Sequence, residues 1–154
     1  MAQIKFFSSK AKYFEFSNFY PAEIKFDGLT FPTTEHCFQW RKFAKTAPDH
    51  AEMIRCAAQP GEAFKLGKSR EFKIDPEWEE IKVDFMKKIV REKLQQHPAI
   101  AELLLKTGKA EIIEASPYDG FWGSAKSGLN HLGKILMELR QELHESKNTP
   151  RGLN

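Results

Sequence analysis

The amino-acid sequence predicts an α+β fold: a helix-rich single domain over residues 1–154 with a small antiparallel β-hairpin. Apolar residues recur at helical spacing through much of the chain, whereas segments with strand character are few and short. The strands do not alternate with helices in the order that a doubly wound parallel sheet requires. A length of 154 residues suits one domain that buries a real core.

The first third of the chain is predicted to hold most of the strands. Residues 4–7 (IKFF) form a short strand, and residues 24–31 form a hairpin around a central Asp-Gly pair. Asp-Gly favours a tight hairpin turn because both central positions of that turn need positive φ. A helix then begins at Thr33 or Thr34, whose hydroxyl suits an N-cap, and runs to about Lys45.

The rest of the chain is predicted to be mainly helical. Asp-Pro and His-Pro pairs mark helix starts, and glycine marks a helix end. The predicted helices cover residues 49–58, 61–67, 75–96, 97–108 and 130–144. A strand over residues 110–116 (AEIIEAS) precedes the last helix, and a polar tail from about residue 146 is expected to fray.

Composition narrows the class of function. The net charge is +3, with 24 basic and 21 acidic residues, which fits a phosphate-bearing small ligand at least as well as nucleic acid. Cys37 and Cys56 lack metal-type spacing and the five histidines form no close pair, so no metal site is expected. Without a long apolar run or a signal-peptide pattern, we expect a cytoplasmic protein with reduced thiols and no membrane partner.

The first candidate site residue is Glu35, at the start of the predicted helix. Glu35, Gln39 and Lys42 fall on one helix face, which is either the solvent side or the wall of a polar pocket. A glutamate in a first helical turn also stabilises the helix dipole by about 0.3–1 kcal/mol. Spacing alone favours this dipole role.

Two further segments could bind a ligand. The loop over residues 116–130 combines glycines with Asp119 and Trp122 before a helix start, which suits either an anion site or a surface turn plugged by the indole. The segment GKSR places Lys68 and Arg70 together, which suits either a phosphate or a solvated basic turn. Trp78 is either a core residue or a stacking platform for a heteroaromatic ring.

Several of these segments together resemble the NADAR superfamily of N-glycosidases. The resemblance rests on FSNFYPAEIKFDGLTFPTTEHCFQWRKF, a mid-chain tryptophan, DGFWG, and GLNHLGKILMELRQEL, in that order from about Phe6 to Leu143. Two segments depart from the family pattern: Ser124-Ala125 follows Trp122-Gly123, and Lys68 stands where an arginine is common. A lysine in place of arginine keeps the positive charge but cannot bind a phosphate in a bidentate manner. Both departures concern substrate choice more than the core chemistry.

The resemblance implies hydrolysis of the N-glycosidic bond between a ribose and a base or aminopyrimidine, a reaction that requires no metal or redox cofactor. Family members act on phosphoribosyl-aminopyrimidines, including early riboflavin-pathway intermediates, or on ADP-ribose attached to a base. Carried over residue by residue, the pattern assigns catalysis to Glu35 and Asp119. It assigns substrate binding to Asn18, Lys42, Lys68, Arg70, Trp78 and Trp122.

These assignments give a mechanistic hypothesis. Glu35 is the general base or charge stabiliser, Asp119 positions the substrate or assists the leaving group, and the two tryptophans flank the heterocycle. The expected partner is a small phosphorylated ribosyl compound or an ADP-ribosylated nucleobase, and no obligate protein partner is inferred. The competing classes are a pocket that binds an ADP-ribose-like or nucleotide ligand without turnover and, less favoured, a nucleic-acid binder.

Overall fold

The computed structural model describes residues 2–148 and confirms the α+β class. Four short strands lie within these residues: β1 (Gln3–Phe6), β2 (Ile24–Phe26), β3 (Leu29–Phe31) and β4 (Glu111–Glu114). Six α-helices make up most of the regular structure: α1 (Thr34–Phe43), α2 (Pro48–Arg55), α3 (Pro60–Gly67), α4 (Trp78–Gln96), α5 (Pro98–Lys106) and α6 (His131–Asn148). A 3-10 turn covers Phe14–Phe16.

Contacts divide the chain into two compact units. The central unit is Asn18–Gln96, and the terminal unit joins the described parts of Met1–Ser17 and His97–Asn154. The prediction of one domain over residues 1–154 stays a prediction. Among the described residues, no helix has both the length and the apolarity that a bilayer crossing would need.

The central unit begins with the predicted hairpin. Strands β2 and β3 pair antiparallel, with Ile24 opposite Phe31. Asp27 and Gly28 have φ values of 54° and 77°, as the tight hairpin turn demands. The side chains of Ile24 and Phe31 are completely buried, so the hairpin attaches to the core through this pair.

Helix α1 is the core of the central unit. The backbone N–H of His36 donates to the Thr33 hydroxyl at 3.2 Å, which confirms the predicted N-cap. Helices α2, α3 and α4 and strand β3 all contact α1, and every residue from Thr34 to Trp40 is buried. Because the helix is covered on several sides, its polar side chains need partners inside the protein.

The terminal unit is built on a parallel strand pair that sequence patterns did not predict. Strand β1 pairs with β4, and α6 packs against β4. The Asn130 side chain continues the β4 pairing: its Oδ1 accepts from the N–H of Glu114 and its Nδ2 donates to the carbonyl of Ile112, each at 2.9 Å. This asparagine therefore fastens the start of α6 to the strand.

Several predicted boundaries differ from the structure by one to four residues, and two of these differences concern the long helices α4 and α6. Helix α4 begins at Trp78 rather than at the Asp75-Pro76 signal, because Asp75 caps a preceding turn by accepting from the N–H groups of Glu77 and Trp78. Helix α6 continues to Asn148, so the polar tail predicted from residue 146 is helical at first. The remainder of that tail, residues 149–154, lies outside the described residues.

The packing of α6 on β4 predicts a glycine requirement. A Cβ at Gly133 would collide with the Ile112 carbonyl oxygen and the Asn130 amide. We expect Gly133→Ala to lower the free energy of unfolding by more than about 2 kcal/mol, because backbone must shift to admit the methyl group. Gly61→Ala is the control, since nothing lies within 4 Å of its Cβ position. Equal melting temperatures for the two variants in thermal denaturation would contradict this packing argument.

Candidate functional site

Three polar side chains of α1, Glu35, Gln39 and Lys42, form what we call the polar row. Glu35 and Gln39 are each only 7% exposed, and Lys42 is half-buried. The Gln39 amide donates to Glu35 Oε1 at 2.9 Å, and Lys42 Nζ donates to the Gly67 carbonyl at 2.7 Å. The row is therefore not the solvent side of the helix, which leaves the alternative of a wall within a polar environment.

Gln39 carries an unsatisfied acceptor. Its Oε1 is buried and has no hydrogen-bond partner among the described residues. It lies against Gly67, where any Cβ would overlap the amide, so α3 approaches α1 closely because residue 67 is glycine. A buried carbonyl oxygen without a partner is uncommon in folded proteins.

The environment of Lys42 disfavours the charged form of its side chain. Burial lowers the pKa of its ammonium group, and the positive charges of Lys82 and Lys68 act in the same direction. The carboxylates of Glu79 and Glu35 oppose this lowering of the pKa. A half-buried cation with only partial compensation favours the approach of an anionic group.

Asn18 anchors the chain to the start of α1. Its Oδ1 accepts from the Thr34 hydroxyl at 2.8 Å, and its backbone carbonyl accepts from the N–H of Glu35 at 3.2 Å. Its Nδ2 contacts Met86 Sδ at 3.3 Å. These contacts give Asn18 a positioning role beside Glu35, and direct contact with substrate stays a prediction.

Trp78 adopts the first of the two roles that its sequence position allows. The indole is 4% exposed, and its centroid lies 4.8 Å from that of Phe38 and 6.3 Å from that of Phe85. It is thus part of the core behind α1. Stacking of a substrate on this indole stays a prediction.

Lys68 and Arg70 remain at the surface of the central unit. Both side chains are exposed, directly after the end of α3. The ammonium of Lys68 lies 4.2 Å from the centroid of the Phe64 ring, which is within cation–π distance. Phosphate binding by these two residues stays a prediction that their exposure permits.

In the terminal unit, Asp119 organises the glycine-rich loop. Its Oδ1 accepts from the backbone N–H groups of Phe121 and Trp122, each at 2.9 Å. The half-buried Trp122 packs edge-on against Phe121, with ring centroids 4.8 Å apart, and its ring centroid lies 6.1 Å from that of His131. Asp119 therefore has a structural function in its own loop, and catalysis by this residue stays a prediction.

Glu114 is a buried carboxyl group that sequence reasoning missed. Its Oε1 accepts from the N–H of Ser116 at 3.0 Å, whereas its Oε2 has no hydrogen-bond partner among the described residues and lies against Gly123. Burial raises the pKa of Glu114 to about 7, the nearby Asp119 charge adds to this, and the Ser116 N–H opposes it. The inward position of Glu114, two residues after buried Ile112 on β4, was the available signal.

Residues 2–148 contain no group of three or more histidine, cysteine, aspartate or glutamate side chains arranged to hold a metal ion. Cys37 is buried and Cys56 is exposed, and neither forms a disulfide. Burial raises the pKa of the Cys37 thiol, so this thiol stays protonated.

Comparison with known proteins decides the family. A model of the NADAR domain matches residues 5–144. The chain belongs to the NADAR family. The resemblance inferred from the ordered motifs is thereby confirmed over nearly the whole chain.

Individual NADAR relatives agree with this. The chain is 39% identical to N-glycosidase YbiA of Escherichia coli over 142 residues, covering 91% of this chain and 88% of that protein. It is 41% identical to an N-glycosidase of Nostoc punctiforme, covering 83% and 84% of the two chains. The NMR structure of E. coli YbiA matches with a TM-score of 0.87 at 36% identity, covering 99% of this chain and 92% of that one. The predicted α+β fold and N-glycosidase class are confirmed.

A third relative is a longer plant protein that is named for riboflavin biosynthesis. The chain is 36% identical to the chloroplastic riboflavin biosynthesis protein PYRR of Zea mays, covering 91% of this chain but only 25% of that longer protein.

Glu114 predicts a pH-dependent stability. The carboxyl group has an ordinary pKa of 4.5 when unfolded and about 7 when folded, so the folded protein holds this proton more tightly. This tighter proton binding stabilises the folded protein by about 3 kcal/mol. The stabilisation is complete below pH 4.5 and is lost as the pH rises through 7. We expect Glu114→Gln, which mimics the neutral acid, to match the wild type near pH 4.5 and to be more stable at pH 8 in urea denaturation.

The matched control for this variant is Glu111→Gln, an exposed glutamate on the same strand. The stability difference between this control and the wild type should not change between pH 4.5 and pH 8. A difference for Glu114→Gln that is equally independent of pH would contradict the assignment of a buried neutral acid.

Proposed function

We propose that this chain hydrolyses the N-glycosidic bond between a phosphoribose and an aminopyrimidine, such as an early riboflavin-pathway intermediate, releasing ribose 5-phosphate and the free heterocycle. The observation that carries the proposal is the buried Glu35 carboxylate held by Gln39 within the polar row. The N-glycosidase names of close relatives support the reaction type, and the riboflavin names support the substrate class.

The reaction explains why a buried carboxylate is useful. As the bond between C1′ of the ribose and the nitrogen of the heterocycle breaks, positive charge builds on the sugar ring. Glu35 stabilises this charge and accepts a proton from the attacking water, whose oxygen forms the new bond to C1′. The departing nitrogen takes up a proton, and the electron pair of the broken bond stays with the heterocycle.

Holding Glu35 in place is the task of its neighbours. The Gln39 amide fixes Oε1, and the Asn18 carbonyl fixes the backbone N–H of Glu35. A carboxylate that is already oriented loses little conformational freedom when the charged transition state forms. Trp78 supports this arrangement from the core by packing on Phe38 of the same helix.

The phosphate of the substrate needs cations, and the central unit supplies three. Lys42 is half-buried in the polar row, whereas Lys68 and Arg70 are exposed after α3. Arg70 offers a bidentate fork for phosphate, and the two lysines act as point charges.

The first prediction of the proposal concerns Glu35. We expect Glu35→Gln to lower kcat at least about 100-fold, because it removes the negative charge while keeping the shape and the oxygen that accepts from Gln39. The melting temperature should change little. We would measure kcat from the rate at which free aminopyrimidine is released from a saturating phosphoribosyl-aminopyrimidine.

Glu102→Gln is the control for this substitution, since Glu102 is an exposed glutamate on α5. It should retain wild-type turnover. Wild-type turnover by Glu35→Gln itself would refute the catalytic assignment. A protein that binds the phosphoribosyl-aminopyrimidine saturably and returns it intact would instead be a binding module.

A second prediction separates catalysis from loop structure at Asp119. Asparagine keeps an Oδ1 that accepts from the N–H groups of Phe121 and Trp122. If Asp119 takes part in the reaction, as the family resemblance implies, Asp119→Asn lowers kcat by about 100-fold at an unchanged melting temperature. Asp119→Ala loses activity and stability together. Full activity in the asparagine variant would leave Asp119 with its structural role alone.

A further inference from the structure

Two exposed phenylalanines of the central unit form a pair whose role is not yet explained. Phe19 is 38% exposed and Phe64 is 37% exposed, although each is a large apolar ring. Their ring centroids lie 6.5 Å apart with a tilt of 59°. We call this pair, together with the Lys68 ammonium above the Phe64 ring, the aromatic clamp.

The aromatic clamp is connected to the polar row at two points along the chain. Phe19 directly follows Asn18, whose carbonyl accepts from the backbone N–H of Glu35. Phe64 precedes Gly67 by one helical turn, and Gly67 contacts the Gln39 amide and accepts from Lys42. Each phenylalanine thus belongs to a segment that contacts the row.

The ring of Phe38 on α1 and the Trp78 indole packed on it offer little surface to a heterocycle. Phe38 and Trp78 are 5% and 4% exposed, and they pack against each other. An N-ribosyl substrate nevertheless brings a planar base, and the usual protein surface for such a base is an accessible aromatic ring.

We propose that Phe19 and Phe64 bind the heterocyclic base of the substrate. The inference rests on the proposed hydrolysis for the identity of the substrate. Two rings tilted by 59° cannot both lie parallel to one plane, so the base stacks on one ring and meets the edge of the other. The Lys68 cation covers one face of Phe64, which leaves the other face and the edge of this ring for the base.

Binding of two stable probes tests the clamp without turnover. Uridine 5′-phosphate carries a pyrimidine base, whereas ribose 5-phosphate has the same sugar and phosphate without it. By isothermal titration calorimetry we expect the wild type to bind the nucleotide at least about five-fold more tightly. Phe64→Leu should reduce this ratio towards one while leaving the affinity for ribose 5-phosphate within about two-fold.

Phe7→Leu is the matched control, because Phe7 is a 44% exposed phenylalanine of the terminal unit. It should keep the wild-type ratio. Phe19→Leu is a second test of the clamp and should lower the ratio as Phe64→Leu does, so the inference does not depend on one variant folding. Equal binding of both probes by the wild type, or an unchanged ratio in both clamp variants, would overturn the inference.

Measurements of turnover distinguish a failure of this inference from a failure of the proposed function. With a phosphoribosyl-aminopyrimidine, Phe64→Leu should raise KM with little change in kcat, since stacking acts equally on substrate and transition state. If the protein hydrolyses this substrate but Phe64→Leu retains the wild-type KM, the reaction stands and the clamp is wrong. If no hydrolysis occurs but the probe ratio still depends on Phe64, the clamp stands and the proposed function is wrong.

Discussion

The hydrogen bond from Gln39 to Glu35 is the interaction on which the site in the central unit depends. Both side chains belong to a helix that is buried from Thr34 to Trp40, so a charged carboxylate there would be costly without a donor. One turn along, Lys42 extends the row and donates to Gly67. Under the proposed function, a stability requirement and a chemical requirement coincide in this one row of side chains.

Residues that pack around α1 hold the polar row in place. Asn18 supplies carbonyl and amide oxygens to the first turn, and Gly67 lets α3 approach closely enough to bury the Gln39 amide. The unsatisfied Oε1 of Gln39 is the one feature of the row that a well-packed helix interface does not explain.

Local signals in the sequence predicted well. The Asp27-Gly28 turn and the Thr33 cap depend on neighbouring residues only, and both were confirmed. The parallel pairing of β1 with β4 joins segments separated by most of the chain, and periodicity carries no information about such pairing. Glu114 was missed for a related reason: its burial depends on a loop that folds over it, with Gly123 against its carboxyl group. For Glu35 the family motif was needed, since spacing favoured a role at the helix start.

The central claim is that the polar row serves bond cleavage and not only binding. The most direct measurement is proton NMR of the wild-type chain incubated with a phosphoribosyl-aminopyrimidine and, separately, with an ADP-ribosylated base. We predict that the anomeric signal of the phosphoribosyl compound disappears and that ribose 5-phosphate appears in equal amount, faster than any release from the ADP-ribosylated base. Persistence of the phosphoribosyl compound in the presence of saturable binding would contradict the account.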